Sequence, residues 1–331
     1  MAHLLVTGGA GYVGSHTLRA LLRAGHSAVV IDDLRAGRAG FVQGAELVRA
    51  DVGDAAALAE TFRRLGPFDG VLHLAASIEV GESGKRPLAF HRNNVSASLT
   101  LLDACVDAGV RAFVFSSSAA VYGNPLLSPI PEDAPLAPLS PYGAGKAMVE
   151  RVLADVEVAH GLRFAALRYF NASGADPAGG LGECHAPETH LIPLALRAAA
   201  GTGPPLRVFG DDWPTRDGSC ERDFVHVCDL AGAHVAALEG LLAGGPGGAF
   251  NLGTGAGRTV REVLAEVEYA LGRPVPVETA PRRAGDPAAL VADAARFRRL
   301  YGWEPRRSDL GTIVRNAWAW ERERSRSGDG L

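Results

Sequence analysis

Leu4-Leu5-Val6-Thr7-Gly8-Gly9-Ala10-Gly11-Tyr12-Val13-Gly14 stands at the head of the chain, and how it is read decides the fold. Leu4 to Val6 is a short apolar run of the kind that forms a buried strand, and the glycines stop it. Ser15 to Ala24 then repeats apolar residues at helical spacing through Leu18, Leu21 and Leu22, and Gly25 ends the repeat. A glycine-rich turn between a strand and a helix is the setting in which such a turn holds a dinucleotide. Gly8 permits the tight turn, Gly11 lets the backbone approach a pyrophosphate, and Gly14 lets helix and strand pack closely. The helix start then offers unpaired N–H groups and a positive dipole end to phosphate, with Tyr12 and Val13 in its first turn. The second apolar run, Ala28 to Ile31, ends in Asp32, placed to accept the adenosine ribose hydroxyls. A carboxylate there repels a ribose phosphate, so NAD is expected over NADP, with Arg35 and Arg38 in an exposed loop.

Working outward, apolar runs alternate with helical patterns. Leu47 to Val52 and Val71 to Ala76 flank a helical stretch through Leu58 and Phe62, and a helix from about Asn94 to Ala108 precedes the run Ala112 to Phe115. That alternation predicts an α/β protein with a doubly wound, Rossmann-type parallel sheet, accompanied by a smaller mixed α/β lobe. Right-handed crossovers bring the C-terminal strand ends to one edge, where ligands bind. Asp51, Val52, Ala75, Ala76, Asn94 and Ser116 lie at or beyond such ends and are cofactor candidates by position; Asn94 equally suits a helix N-cap. Beyond the proline-dense stretch Pro125 to Pro141, Ser140-Pro141-Tyr142-Gly143-Ala144-Gly145-Lys146 puts a phenol and an ammonium on one helical face. The only lysines in the chain are Lys85 and Lys146.

The 331 residues, 47% hydrophobic and 21% charged with a net charge of −4, suit a globular enzyme of two lobes and give no general attraction to nucleic acid or anionic membrane. The opening apolar run is too short for a signal peptide, and no apolar stretch is long enough to span a bilayer. Cys105, Cys184, Cys220 and Cys228 form no C-x-x-C pair, so a reducing, cytoplasmic setting is expected.

Many segments, in order, resemble the extended short-chain dehydrogenase/reductase family and, within it, its UDP-hexose 4-epimerase branch. They include Gly11 to His16, Val80-Gly81-Glu82-Ser83, Phe115 to Ser118, Ser140 to Gly143, Leu167 to Asn171, Pro187 to Pro193, Asp217 to Val227 and Pro281 to Asp286. The resemblance implies a tightly held NAD and a UDP-sugar substrate. Tyr142 matches the catalytic base, Ser118 the hydroxyl beside it, and Lys146 the lysine that holds the ribose and activates the tyrosine. Gly8, Gly11, Tyr12, Val13, Gly14, Asp32, Asp51, Val52, Asn94 and Phe170 match cofactor contacts. Asn171, Phe209, Arg222, Arg283 and Asp286 match UDP-sugar contacts, and His190, Leu191 and Leu290 fall at substrate positions. Ile78 stands where some members carry a cofactor-contacting lysine, His190 where others carry asparagine, and Leu290 where the residue limits the sugar's C2 substituent.

The lobes are expected to divide as 1–171 for NAD and 172–331 for the UDP-sugar, with about 224–255 returning to the main sheet. His185, His190 and Cys184 hint at a metal but show no convergent fourth ligand, so loop residues around a substrate are expected and no metal. Apolar residues spread around the helices near 94–108 and 142–159 predict a homodimer through a four-helix contact. The tail Glu321 to Leu331 reads as frayed. The expected reaction is inversion at C4 of a UDP-hexose, with Tyr142 as phenolate. Tyrosine titrates near ~10, so a phenolate at neutral pH needs about 4 kcal/mol; a cation about 4 Å away supplies on the order of 4 kcal/mol at an effective dielectric near 20. Within the family a 4,6-dehydratase would carry an Asp-Glu pair where this chain has Ala119-Ala120. A 4-epimerase of UDP-pentoses, UDP-uronates or UDP-N-acetylhexosamines would keep the same tyrosine, serine and lysine. A non-catalytic NAD-binding redox sensor would not need them.

Overall fold

The computed structural model describes residues 1–283 and 286–326. The first half runs β1 (His3–Thr7), α1 (Tyr12–Arg23), β2 (Ser27–Asp32), β3 (Glu46–Arg49), α2 (Ala55–Leu65), β4 (Gly70–His73), α3 (Val80–Lys85), α4 (Pro87–His91), α5 (Ala97–Asp107), β5 (Ala112–Ser118), α6 (Pro141–His160) and β6 (Arg163–Tyr169). The second half runs β7 (Asn171–Ser173), α7 (Leu191–Ala200), β8 (Leu206–Phe209), β9 (Glu221–Arg222), β10 (Phe224–His226), α8 (Val227–Leu242), β11 (Gly248–Leu252), β12 (Arg258–Thr259), α9 (Val260–Leu271), β13 (Val277–Ala280), β14 (Ala289–Leu290), α10 (Ala295–Tyr301) and α11 (Leu310–Arg326).

Seven strands form the main sheet in the order β11-β6-β5-β4-β1-β2-β3, every neighbouring pair parallel. The order reverses at β1, the switch point beyond whose strand ends open parallel sheets bind their ligands. Side chains alternate across each strand. Leu4 and Val6 therefore pack with Leu18 and Leu21 of α1 and Leu230, Ala237 and Leu238 of α8. Leu5, one residue between them, packs on the other face with Leu58 of α2, Leu101 of α5, and Val149 and Leu153 of α6. Both faces are thus covered, as a parallel sheet requires. A separate core joins Ile192 and Leu196 of α7, Val263 and Val267 of α9, and Ile313 and Val314 of α11. Small sheets β7–β10, β8–β13 and β12-β9-β14 surround it.

Two expectations shift. The helix foreseen from Asn94 begins at Ala97, because residues 92–96 make a wider turn with Asn94 inside it, not capping it. The tail is ordered further than its charge suggests: α11 runs to Arg326, because Glu321 is buried and pairs with Arg197 at 3.0 Å and Arg324 at 2.8 Å. The rest of that tail, 327–331, lies outside the described residues, as do Ala284 and Gly285 of the segment Pro281 to Asp286. Among the described residues no helix is long and apolar enough to cross a membrane.

Candidate active site

α6 starts where its sequence dictates. The Ser140 hydroxyl accepts from Gly143 N at 3.1 Å and Pro141 occupies the first turn, which aims Tyr142, Lys146 and Glu150 along one face. Tyr142 and Lys146 are both buried. Burial pushes the Tyr142 phenol up, and a hydrogen bond with the Ser118 hydroxyl at the end of β5 draws it partly back. Burial brings the Lys146 ammonium down to about 7, while the Glu150 carboxylate one turn along resists.

Lys146 Nζ donates to the Ser116 carbonyl at 2.6 Å and lies 5.8 Å from the centre of the Tyr142 ring. The positive charge of Lys146 beside the ring favours the phenolate form of Tyr142. Desolvation acts in the opposite direction. A cation about 4 Å from the phenol oxygen, helped by the nicotinamide, is what the expected reaction asks of Lys146.

Sequence reading missed the group beneath this pair. Glu150 accepts from Ser117 Oγ at 2.5 Å and from Arg168 Nη2 at 2.6 Å, with both partners of the ion pair buried. Arg168 also donates to the Tyr122 hydroxyl at 2.8 Å and the Glu132 carbonyl at 2.9 Å, and Tyr122 donates to Asn251 at 2.7 Å. Ser117 and Arg168 meet because β5 and β6 pair in that register. Tyr169 and Ser116 are hydrogen-bonded beside them.

At the β1 end, Gly8 has φ +73°, and a Cβ on it would come within 2.5 Å of Ala75 N. A Cβ on Gly14 would stand 2.0 Å from the Gly8 carbonyl, so the turn closes only without side chains. Gly11 caps α1 with no side-chain hydrogen bond, leaving the first turn, Tyr12 and Val13, to face a ligand with backbone N–H groups. Asp32 is buried and accepts from Ala10 N at 3.0 Å and Leu34 N at 2.9 Å; burial raises its pKa. Two accepted bonds leave a carboxylate further acceptor sites for a ribose. Arg35 is engaged by Asp33, by Asp51 at 3.0 Å and by Asn93 at 3.0 Å, which neutralises the nearest cation that would favour a ribose phosphate. Val52 is buried below Asp51. Asn94 spans the backbone of Ser77 with 2.8 Å bonds in both directions, pinning the loop that continues from Ala75 and Ala76. This donor and acceptor set fits a dinucleotide.

On the other side of the edge, Phe170 is buried with Ala119, Tyr122 and Ala292, and Leu290 packs against that cluster. Asn171 N donates to the Asp223 carbonyl at 2.9 Å, and Asp223 N to the Leu290 carbonyl at 3.0 Å, so Asn171, Arg222 and Leu290 share one neighbourhood. The Asp223 carboxylate, also missed from sequence, is fully buried and accepts from Thr254 Oγ1 at 2.6 Å, Gly255 N at 3.0 Å and Ala292 N at 3.2 Å. Arg222 stands 3.8 Å from Asp286, and the Arg283 guanidinium lies 3.7 Å from the centre of the Phe209 ring. His190, just before α7, belongs to a different cluster, and Leu191 beside it packs against the core of α7, α9 and α11. Nδ1 of His190 faces Glu183 at 2.6 Å and Glu188 at 3.0 Å, and Nδ1 of His185 faces Glu183 at 3.0 Å. These carboxylates hold the His190 imidazolium up to about 10, and the histidines hold Glu183 down to about 2. Cys184, their neighbour along the chain, faces Arg38 and Arg324 instead.

Over residues 4–253 the chain matches the NAD dependent epimerase/dehydratase family. The chain belongs to that family. It is 51% identical over 325 residues to the UDP-glucose 4-epimerase of Azospirillum brasilense, covering 98% of this chain and 93% of that protein. Among solved structures it is similar to the UDP-glucose 4-epimerase of Brucella ovis in complex with NAD, with TM-score 0.93, 48% identity, and coverage of 96% and 98% of the two chains. It is also similar to that of Stenotrophomonas maltophila with bound NAD and formylated UDP-arabinopyranose, with TM-score 0.95, 42% identity, and coverage of 99% and 100%.

In a member of the NAD dependent epimerase/dehydratase family the glycine turn is the place to break cofactor binding. Gly14→Ala places a methyl 2.0 Å from a carbonyl oxygen, so the turn must open. The variant is expected to purify with less than a tenth of the NAD per chain that the wild type carries, as measured by absorbance of the nucleotide released on denaturation.

Proposed function

We propose that the chain inverts C4 of UDP-hexoses, interconverting UDP-galactose and UDP-glucose through a transient 4-keto sugar while NAD remains bound. The convergence of Tyr142, Ser118 and Lys146 at the sheet edge, beside the glycine turn, carries this reading. The near full-length likeness to UDP-glucose 4-epimerases supports it. Bound NAD supplies a hydride acceptor and donor at C4 and a positive charge close to the phenol. Tyr142 takes the O4 proton and later returns it. Ser118 shares that proton by hydrogen bond, and Lys146 lowers the phenol's proton affinity. Arg222 and Arg283 present guanidinium forks to the diphosphate, and the Phe209 ring beside Arg283 orients it. Asp223 fixes the loops that carry Asn171, Arg222 and Leu290.

A 4,6-dehydratase would find neither its acid nor its base here. Ala119 and Ala120 follow Ser118, and Ala120 N donates to the Ser118 hydroxyl at 3.1 Å, so this short turn carries no carboxylate. The test is incubation of purified protein with UDP-galactose and no added NAD, followed by separation of the nucleotide sugars. UDP-glucose supports the proposal; unchanged substrate, or a 4-keto-6-deoxy product, overturns it. UDP-N-acetylgalactosamine run in parallel reads the room beside Leu290.

Our reading of the lobes is 1–171 for NAD and 172–331 for the UDP-sugar, with α8 and β11 serving the first. The four free thiols suit a reducing compartment such as the cytoplasm. A homodimer through α5 and α6 completes the proposal. Val149 and Leu153 of α6 face the core, while Met148 is 49% and Leu99 of α5 39% exposed on the outer side. Light scattering at micromolar concentration is expected to give twice the chain mass, and Met148→Glu is expected to halve it.

A further inference from the structure

We propose that Glu183, His185, Glu188 and His190 form a site for one divalent transition-metal ion, with zinc the best match to their donors. The four residues lie in the loop between β7 and α7, with spacing Glu-x-His-x-x-Glu-x-His. Their ligand atoms, two imidazole nitrogens and two carboxylate oxygens, all fall within 4.8 Å of one another. Two imidazoles and two carboxylates are a borderline set that suits zinc. Metal–ligand bonds near 2.1 Å put tetrahedral ligands about 3.4 Å apart. The histidine–carboxylate separations of 2.6, 3.0, 3.0 and 4.0 Å straddle that value.

The surroundings are those of a cation site. The side chains of Glu183 and Glu188 are only 6% and 1% exposed, and two buried carboxylates this close together need positive charge between them, which a bound ion would supply in place of the His190 proton. Glu188 Oε2 is buried with no hydrogen-bond partner, and Arg197 is 3.8 Å from it. Glu188 Oε1 meanwhile accepts from the backbone of Thr189 and His190, the kind of outer contact that orients a ligating carboxylate. The His185 ring meets the Tyr12 ring edge-on at 6.2 Å, and Tyr12 donates to the Gly174 carbonyl at 2.7 Å where the loop begins. An ion here would fasten the loop and the start of α7 to the first turn of α1. It would thereby tie the substrate side to the cofactor side without touching the reacting atoms.

The test uses untagged, full-length protein with its bound NAD, stripped with EDTA and titrated with zinc chloride against a chromophoric chelator. The expected result is one ion per chain with Kd below about 10 µM and a melting temperature raised by about 2–4 °C in excess zinc. Hydrogen exchange in 181–190 is expected to slow on addition of zinc. His185→Gln is expected to lose this uptake and this protection while keeping its NAD content. Uptake weaker than about 10 µM, or equal uptake by His185→Gln and wild type, overturns the proposal. Should the variant fail to fold, X-ray absorption on the wild type decides: a shell of nitrogen and oxygen with imidazole scattering supports the site, and sulfur in the shell overturns it.

Discussion

Tyr142→Phe is expected to lower kcat for UDP-galactose by about 10²- to 10⁴-fold while leaving the NAD content per chain unchanged. The substitution removes one oxygen from a side chain that is 9% exposed and held by the capped start of α6, so the helix and its packing survive. What is lost is the only group that we assign to accept the O4 proton. Ser118 is not a substitute, because its hydroxyl already accepts from Ala120 N and a free hydroxyl is a far weaker base. Progress curves with UDP-galactose, alongside NAD released on denaturation, separate loss of the base from loss of the cofactor. Turnover within a factor of ten of wild type would remove Tyr142 from the mechanism.

Glu150→Ala is the substitution expected to weaken the fold most. It leaves the Arg168 guanidinium, with a side chain 6% exposed, without the carboxylate that neutralises it. Removing one member of a buried pair costs about 3–5 kcal/mol. For a chain of 331 residues that corresponds to a fall in melting temperature of about 4–7 °C. Ser117 Oγ loses its acceptor at the same time. Replacing both partners, as Glu150→Leu with Arg168→Met, removes the uncompensated charge and is expected to recover part of the loss. A melting temperature for Glu150→Ala within 1 °C of wild type, by calorimetry, would show that the pair is not what holds β5, β6 and α6 in register. Activity follows for a separate reason: Glu150 raises the pKa of Lys146. Without it a smaller fraction of Lys146 is charged at pH 7, and the acid limb of the rate profile moves upward as Tyr142 loses that cation.

What can be read from the residues is what is local. The glycine turn, Asp32 at a strand end, and the Tyr142/Lys146 spacing each depend on neighbours within one strand-turn-helix unit or one helical turn. Long-range pairings leave no such trace. Glu150 and Arg168 look like two surface charges until β5 and β6 align Ser117 with Arg168. Asp223 sits inside the segment Asp217 to Val227, but its role depends on Thr254, Gly255 and Ala292 arriving from later in the chain. Glu183 and Glu188 carry no mark in the sequence, because a loop has no period to show which side chains turn inward; Cys184, the more conspicuous residue, points elsewhere. Glu321 reads as tail because its charge outweighs its helical pattern, and Arg197 is what buries it. The anchoring of Lys146 on the Ser116 carbonyl is also beyond reach of the sequence.

In the proposed reaction a buried phenol becomes a base only because positive charge gathers beside it. The most direct measurement is the titration of Tyr142 in the NAD-bound protein, followed by NMR of ring-labelled tyrosine in wild type and in Lys146→Met. A titration near neutral pH is expected in the wild type, displaced upward in the variant. A Tyr142 that titrates at about 10 or above in both proteins would contradict this role for the charge.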